Sequence, residues 1–255
     1  MPSPLSIVKV ATFAGALAIG ALSAPLANAG PPYLTDDPAP TDLGHWEIYS
    51  FVTAFTAGPT VSGAAGLDLN YGGAKDLQLT ATIPLDFQGT KGLAAPGLRA
   101  GAGDIELAAK YRLLHQTDGT WAPDLAVFPR LFVPTAGPPF GTGRLGLLLP
   151  VWVEKDAGSW SVFGGGGYQI NPGAGQRDFW QGGLAVTHSF GERLAIGPEV
   201  FAQGDSANTG GGFLALNLGA SWRLTKHWSL LALAGPVWQA PTNGMDVYWS
   251  LKADY

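Results

Sequence analysis

DLQLTATIPLDFQ, residues 76–88, alternates without a fault. Leu77, Leu79, Ala81, Ile83, Leu85 and Phe87 fall on one face. Asp76, Gln78, Thr80, Thr82, Pro84, Asp86 and Gln88 fall on the other. A period of two marks an extended strand, because successive side chains point to opposite faces. A soluble strand averages about five or six residues. A tilted strand that crosses a bilayer needs about 9–11, and this stretch meets that length with one greasy and one wet face.

The same pattern returns in DIELAAKYRL, 104–113, and in DVYWSLKADY, 246–255. Read throughout, it predicts twelve strands near 45–57, 62–72, 76–88, 103–116, 121–135, 144–155, 159–171, 178–190, 193–204, 212–225, 228–239 and 246–255. Connections alternate in length. GGAK, DAG, GE and KH are short; GTKGLAAPGLRAGA, AGPPFGTG, NPGAGQR, GDSANTGG and APTNG are longer. TDGT, with its flanks, and the short AGPTV depart from that rhythm. An even strand count with short turns at one end and longer loops at the other describes an outer-membrane barrel. The expected fold is therefore all-β: a closed antiparallel transmembrane barrel of about 12 strands in an up-and-down meander. Closure removes the unpaired sheet edges that lipid cannot satisfy. A soluble β-sandwich would also alternate, but only 13% of the residues are charged, too few to clothe its exterior.

Three segments follow. Residues 1–29 read as a cleaved signal peptide: Lys9, the apolar run ATFAGALAIGAL, then Ala27-Asn28-Ala29. Residues 30–44 read as a periplasmic extended segment and 45–255 as the barrel. No cysteine is present, so an exported chain of this kind fits a bacterial envelope protein better than a disulfide-stapled domain. The net charge of −5 leaves no electrostatic footprint for nucleic acid.

Five blocks carry a family resemblance: GPPYLTDDPAPTDLGHWEIY (30–49), GAGDIELAAKYRLLHQTDG (101–119), FPRLFVPTA (128–136), LLLPVWVEKDAGSWSVFGGGGYQINPG (147–173) and DFWQGGLAVTHSFGERLAIGPEVF (178–201). Together they resemble an outer-membrane family assigned to the phenol meta-cleavage (MetA) pathway, whose members are often labelled transporters. The resemblance spans most of the expected mature chain. It implies a porin-like channel linked to uptake of aromatic or other hydrophobic compounds, and it brings no catalytic residues with it.

By phase, Glu47, Glu106, Lys110, Arg112, Arg130, Glu154, Glu199, Arg223 and Lys252 face the lumen. Four acids against five bases permit a salt-bridged filling, with a narrow pore among the charges. Phe128, Phe132, Trp152, Phe163 and Phe201 also face inward and are candidates for a greasy stripe along a conduit. Trp180, Trp222, Trp249 and Tyr255 face outward, as an interfacial girdle does. Tyr255, an aromatic at the very end of the last strand, resembles the signal read by the barrel-assembly machinery. The glycines at 164–167 lack the Lys-Ser/Thr of a phosphate loop and are read as room for bulky neighbours.

Residues 30–44 are too rich in proline to add a central strand. They are expected to tuck into the periplasmic mouth, with Asp36 and Asp37 meeting an inward cation such as Lys252; a loose leader is the alternative. Lys91, Arg99, Arg144 and Arg177 lie in external loops, where they can touch lipopolysaccharide phosphates or remain solvated. Leu93 and Leu98 suggest that the longest loop folds inward. His188 and Ser189 are adjacent and must point to opposite faces, which argues against a lipid hydrolase. No metal or cofactor is expected. The expected function is passive passage of small hydrophobic or aromatic molecules across the outer membrane, with outer-membrane lipid and a small apolar solute as partners. The alternative is a closed structural or loop-binding barrel.

Overall fold

In a computed structural model, which describes residues 32–90 and 97–255, the expected alternation becomes a single closed sheet. The expected signal peptide, Lys91 and Leu93 lie outside those residues. The strands are β1 Trp46–Ala57, β2 Thr60–Ala74, β3 Leu77–Thr90, β4 Arg99–Ala102, β5 Ile105–Leu114, β6 Asp124–Val127, β7 Arg130–Val133, β8 Gly146–Ala157, β9 Trp160–Ile170, β10 Phe179–Phe190, β11 Leu194–Gln203, β12 Phe213–Arg223, β13 Trp228–Trp238 and β14 Gly244–Asp254. β4 and β5 form one crossing, interrupted at Gly103-Asp104. β6 and β7 form another, interrupted at Phe128-Pro129, where proline has no amide to donate. Its carbonyl still accepts from the Ala109 amide at 3.2 Å, so the wall stays joined. The result is twelve antiparallel crossings in an up-and-down meander.

The barrel closes where β1 meets β14, from Glu47 opposite Asp254 to Ala57 opposite Gly244. At the periplasmic end Trp46 and Tyr255 exchange both backbone bonds, at 2.7 and 3.0 Å. The Tyr255 ring stacks on His227 at 6.2 Å and meets Trp228 edge-on at 6.5 Å. Deleting Tyr255 removes both of these closing bonds and all of these ring contacts. The truncated barrel is expected to assemble more slowly and to lose its folded, heat-modifiable gel mobility at a lower temperature; unchanged assembly and mobility would refute this role.

One face of every long strand is an apolar surface open to the outside. Leu79, Ile83, Leu85, Leu107, Leu149, Leu184, Leu216, Leu218 and Val247 are all exposed. A soluble protein would bury so continuous a patch; lipid is its natural solvent. Aromatic pairs ring both ends. Trp46 packs on Tyr71 at 4.8 Å and Trp160 on His188 at 4.6 Å near the periplasm, while Tyr168 packs on Trp180 at 5.0 Å at the other end. Trp222, Trp249 and Tyr255 share this outward exposure.

Candidate functional site: a plugged lumen with two chambers

The inner face is polar toward the periplasm, and the N-terminal segment lies against it. Proline at 38 and 40 keeps the chain extended and leaves fewer amides to satisfy. The Asp37 and Ala39 amides donate within the segment, to Asp36 and Asp37, while other groups find partners on opposite walls. Tyr33 Oη sits 2.8 Å from the Gly197 carbonyl and 3.1 Å from that of Gly219. The Thr35 amide donates to Glu199 at 2.6 Å, and the Thr41 amide donates to Gln78 at 2.8 Å. The segment therefore crosses from β11–β12 to β3 before the chain enters β1. Glu199 is the sixth residue of ten in β11, so the plug reaches the middle of the barrel.

Two glycines make the room. A methyl group at Gly219 would collide with the Tyr33 ring, and one at Gly183 with the Thr35 hydroxyl. Tyr33 also packs on Phe163, with ring centroids 5.6 Å apart. The glycine run at 164–167 serves the wall in a related way: Gly165 lies opposite the buried Trp152.

Asp36 and Asp37 do meet an inward cation, but it is Lys110, at 3.0 and 3.5 Å. Lys110 also donates to the Ala39 carbonyl at 3.3 Å. The expected partner, Lys252, is held instead by Glu47 and Asp254, both at 2.9 Å. The reason is register. Asp254 stands two residues along β14 on the same face, and Glu47 is its cross-strand neighbour on β1. Lys252 thus has two carboxylates on its own stretch of wall.

Among the described residues, two cavities lie within the lumen. The inner one, about 220 Å³, lies between plug and wall and is polar, bordered by Asp36, Asp37, Glu47, Asp68, Lys110 and Arg130 among others. The outer one, about 450 Å³, is a vestibule at the external end. It is lined by Phe132, Phe140 and Phe179, by Pro84 and Pro172, and by polar and charged groups that include Asp86, Glu106 and Arg144. Glu106 borders the vestibule and Arg130 the inner chamber. Their side chains form a fork between the two, with nitrogen–oxygen distances of 2.6 and 3.0 Å. Such bidentate, charge-assisted pairs are among the stronger polar contacts. Beneath them Phe128 offers its ring to Lys110 at 5.0 Å and Arg130 at 5.5 Å.

The other candidates are spread more widely than their phase suggests. Arg112 sits at the periplasmic turn with Asp76, 3.3 Å, and Asp124, 3.7 Å. Burial would raise the Asp76 carboxyl, but hydrogen bonds from His115 and Arg112 hold it below its ordinary value. Arg223 lines a separate periplasmic pocket of about 400 Å³ with His45, Lys226, His227 and Tyr255. Glu154 accepts from Ser161 at 2.6 Å, and Glu199 from Thr35 and Asn217. The inward aromatics form no single stripe. Phe201 joins Phe55, Phe213, Ala215 and Val237 in an apolar cluster, Phe132 faces the vestibule, and Phe163 meets the plug.

This placement changes the charge of the interior. Among the described residues, Lys110, Arg130 and Lys252 are all tied to carboxylates. Asp68, Asp86, Glu154, Glu199 and Asp246 have no ion-pair partner there. The expected balance of four acids and five bases therefore gives way to an acidic lumen. Asp68, Asp86 and Asp246 lie in clean alternation and were legible as inward; the partnering that leaves them uncompensated was not. His188 points outward between Trp160 and Phe190, each 4.6 Å away, and Ser189 points to the other face, so the two make no nucleophile–base pair.

No family model and no curated protein matches the chain. Solved structures do. An outer membrane channel from Pseudomonas putida F1 superposes with a TM-score of 0.70 at 15% identity, covering 84% of this chain and 96% of that one. The translocator domain of the autotransporter NalP from Neisseria meningitidis gives 0.51 at 10% identity, covering 83% and 88%. The NanC porin gives 0.51 at 6% identity, covering 82% and 98%. The shared feature is the fold, that of outer-membrane barrels.

Proposed function

We propose that this outer-membrane barrel passes small hydrophobic or aromatic molecules without an energy source, with the N-terminal segment narrowing its periplasmic half. The observation that carries the reading is the division of the passage. An aromatic-lined vestibule opens outward, and a second chamber lies behind the Glu106–Arg130 fork. Side chains can swing where a wall cannot. The phenol-pathway resemblance and the Pseudomonas channel's description both support transport. Outer-membrane lipid meets the apolar exterior, lipopolysaccharide is reached by Arg99, Arg144 and Arg177, and the assembly machinery reads Tyr255.

Liposome swelling with the reconstituted mature chain tests this. Phenol-sized neutral aromatics should swell vesicles faster than sugars of similar size. Silence toward every solute, in the intact chain and after removal of the plug, would favour the closed structural barrel; the sealed Lys252 and Glu199, 0% and 1% exposed, lend that reading its own support. Glu106→Gln keeps the volume of the fork while removing its charge. It should raise the swelling rate severalfold; an unchanged rate would remove the fork from the path.

A further inference from the structure

We propose that the vestibule is a binding site for small organic cations, an aromatic or similarly flat apolar group bearing a protonated amine, with Asp86 as the recognising carboxylate. This rests on the channel reading above for its place in transport, but the site stands on its own geometry.

Two glycines on β4 and its end bring unlike groups together. Gly101 lies directly opposite Asp86 in the β3–β4 register. A methyl group at Gly101 would stand 2.9 Å from the Phe140 ring, so that ring lies over the glycine. Gly103, two residues on, is covered by the Asp86 carboxylate. Alternate residues of a strand share a face and lie about 7 Å apart. An aromatic ring and a carboxylate are thereby held side by side in the lining of one cavity. Phe132 and Phe179 supply further rings around the same cavity. A ring quadrupole and a carboxylate both attract an ammonium group, and both become stronger as water is displaced.

The other carboxylates of the vestibule, Glu106 and Asp104, are already engaged. Glu106 is held by Arg130. Asp104 accepts from the Ala136 amide and from the Thr142 amide and hydroxyl, at 2.8 to 3.0 Å, which fixes the 134–145 loop and with it Phe140. Asp86 has no hydrogen-bond or ion-pair partner among the described residues. Arg144 borders the cavity too and is likewise unpaired there, exposed at its rim. Among the described residues that line the cavity, it is the one cation, which would favour an anion. Behind the fork Asp68 receives a single hydroxyl, from Thr82 at 3.0 Å, so the field deeper in the lumen again favours a cation.

Benzylamine, benzyl alcohol and benzoate share a ring and differ in charge. Their binding to the full mature chain in detergent is measured by calorimetry, at low and high salt. Benzylamine should bind about tenfold more tightly than benzyl alcohol, the size of one charge-assisted contact, with benzoate weakest. Asp86→Asn should abolish the preference for the amine and leave benzyl alcohol unchanged, and Phe140→Ala should weaken both. Benzoate binding as tightly as the amine, with loss in Arg144→Gln, would overturn the proposal. So would an amine preference untouched by Asp86→Asn, or no binding of any probe. Swelling with the same three solutes separates this from the channel reading. Binding with the expected order but no flux sinks the channel alone, and flux without charge preference sinks the cation site alone.

Discussion

Removing residues 31–40 converts a barrel that conducts little into one with a steady, open-level current in planar bilayers. The expectation follows from what those residues touch. Tyr33, Thr35, Asp36, Asp37 and Ala39 all make contacts with the far or near wall, and none of them belongs to the barrel's hydrogen-bonded sheet. The sheet closes through β1 and β14, both outside the deletion, so the barrel should still fold. What is lost is the filling of the periplasmic half. Glu199, Gln78 and Lys110 would exchange segment atoms for water, which an open lumen can supply. A deletion variant that folds, shows the heat-modifiable band and conducts no more than the parent would return the segment to the status of a leader. Gly219→Leu makes the same test without shortening the chain, because its side chain would occupy the space of the Tyr33 ring.

Lys110→Ala should release the segment nearly as well. Lys110 is 5% exposed, and it is the cation that faces both Asp36 and Asp37. Truncating one partner of a buried pair costs about 3–5 kcal/mol, because the remaining charges stay buried without compensation. Asp36 keeps some access to water, 24% exposed, which argues for the lower end of that range. Even about 3 kcal/mol shifts a plugged–unplugged equilibrium by roughly a hundredfold. The variant should show long open events in bilayers and rapid proteolysis near residues 32–44 from the periplasmic side. Lys110→Met combined with Asp36→Asn and Asp37→Asn removes the charges together. That triple variant should return toward the closed level, since replacing a whole buried pair is far less costly than breaking it. If the single variant stays closed and protected, the ion pair does not hold the plug.

Much of this was legible in the chain. Perfect alternation in 76–88 and its repeats shows where strands run and which face meets lipid, because the pleat admits no other period. Their length and the short-long rhythm of the connections decide between barrel and sandwich. The breaks were less visible. Pro129 and the Gly103-Asp104 step divide two crossings that alternation alone reads as continuous, since side-chain phase survives a local loss of backbone pairing.

The site divides in the same way. That Glu106, Lys110, Arg130, Glu199 and Lys252 face inward is a matter of phase, and phase is local. Which of them pair is not local. Lys110 meets Asp36 across 74 positions of sequence and Thr35 meets Glu199 across 164. Those contacts depend on barrel shear, on how high the plug climbs, and on the absence of side chains at Gly183 and Gly219. By itself the sequence determined the twelve crossings, the lipid face and the inward set, because each follows from a two-residue repeat. Only the tertiary structure decided that Lys110 pairs with Asp36 and Asp37 of the N-terminal segment, that the Glu106–Arg130 pair lies between the two chambers, and that several inward carboxylates have no ion-pair partner among the described residues. Ion pairing depends on distances of a few ångströms across the barrel, and those are set only when the sheet closes.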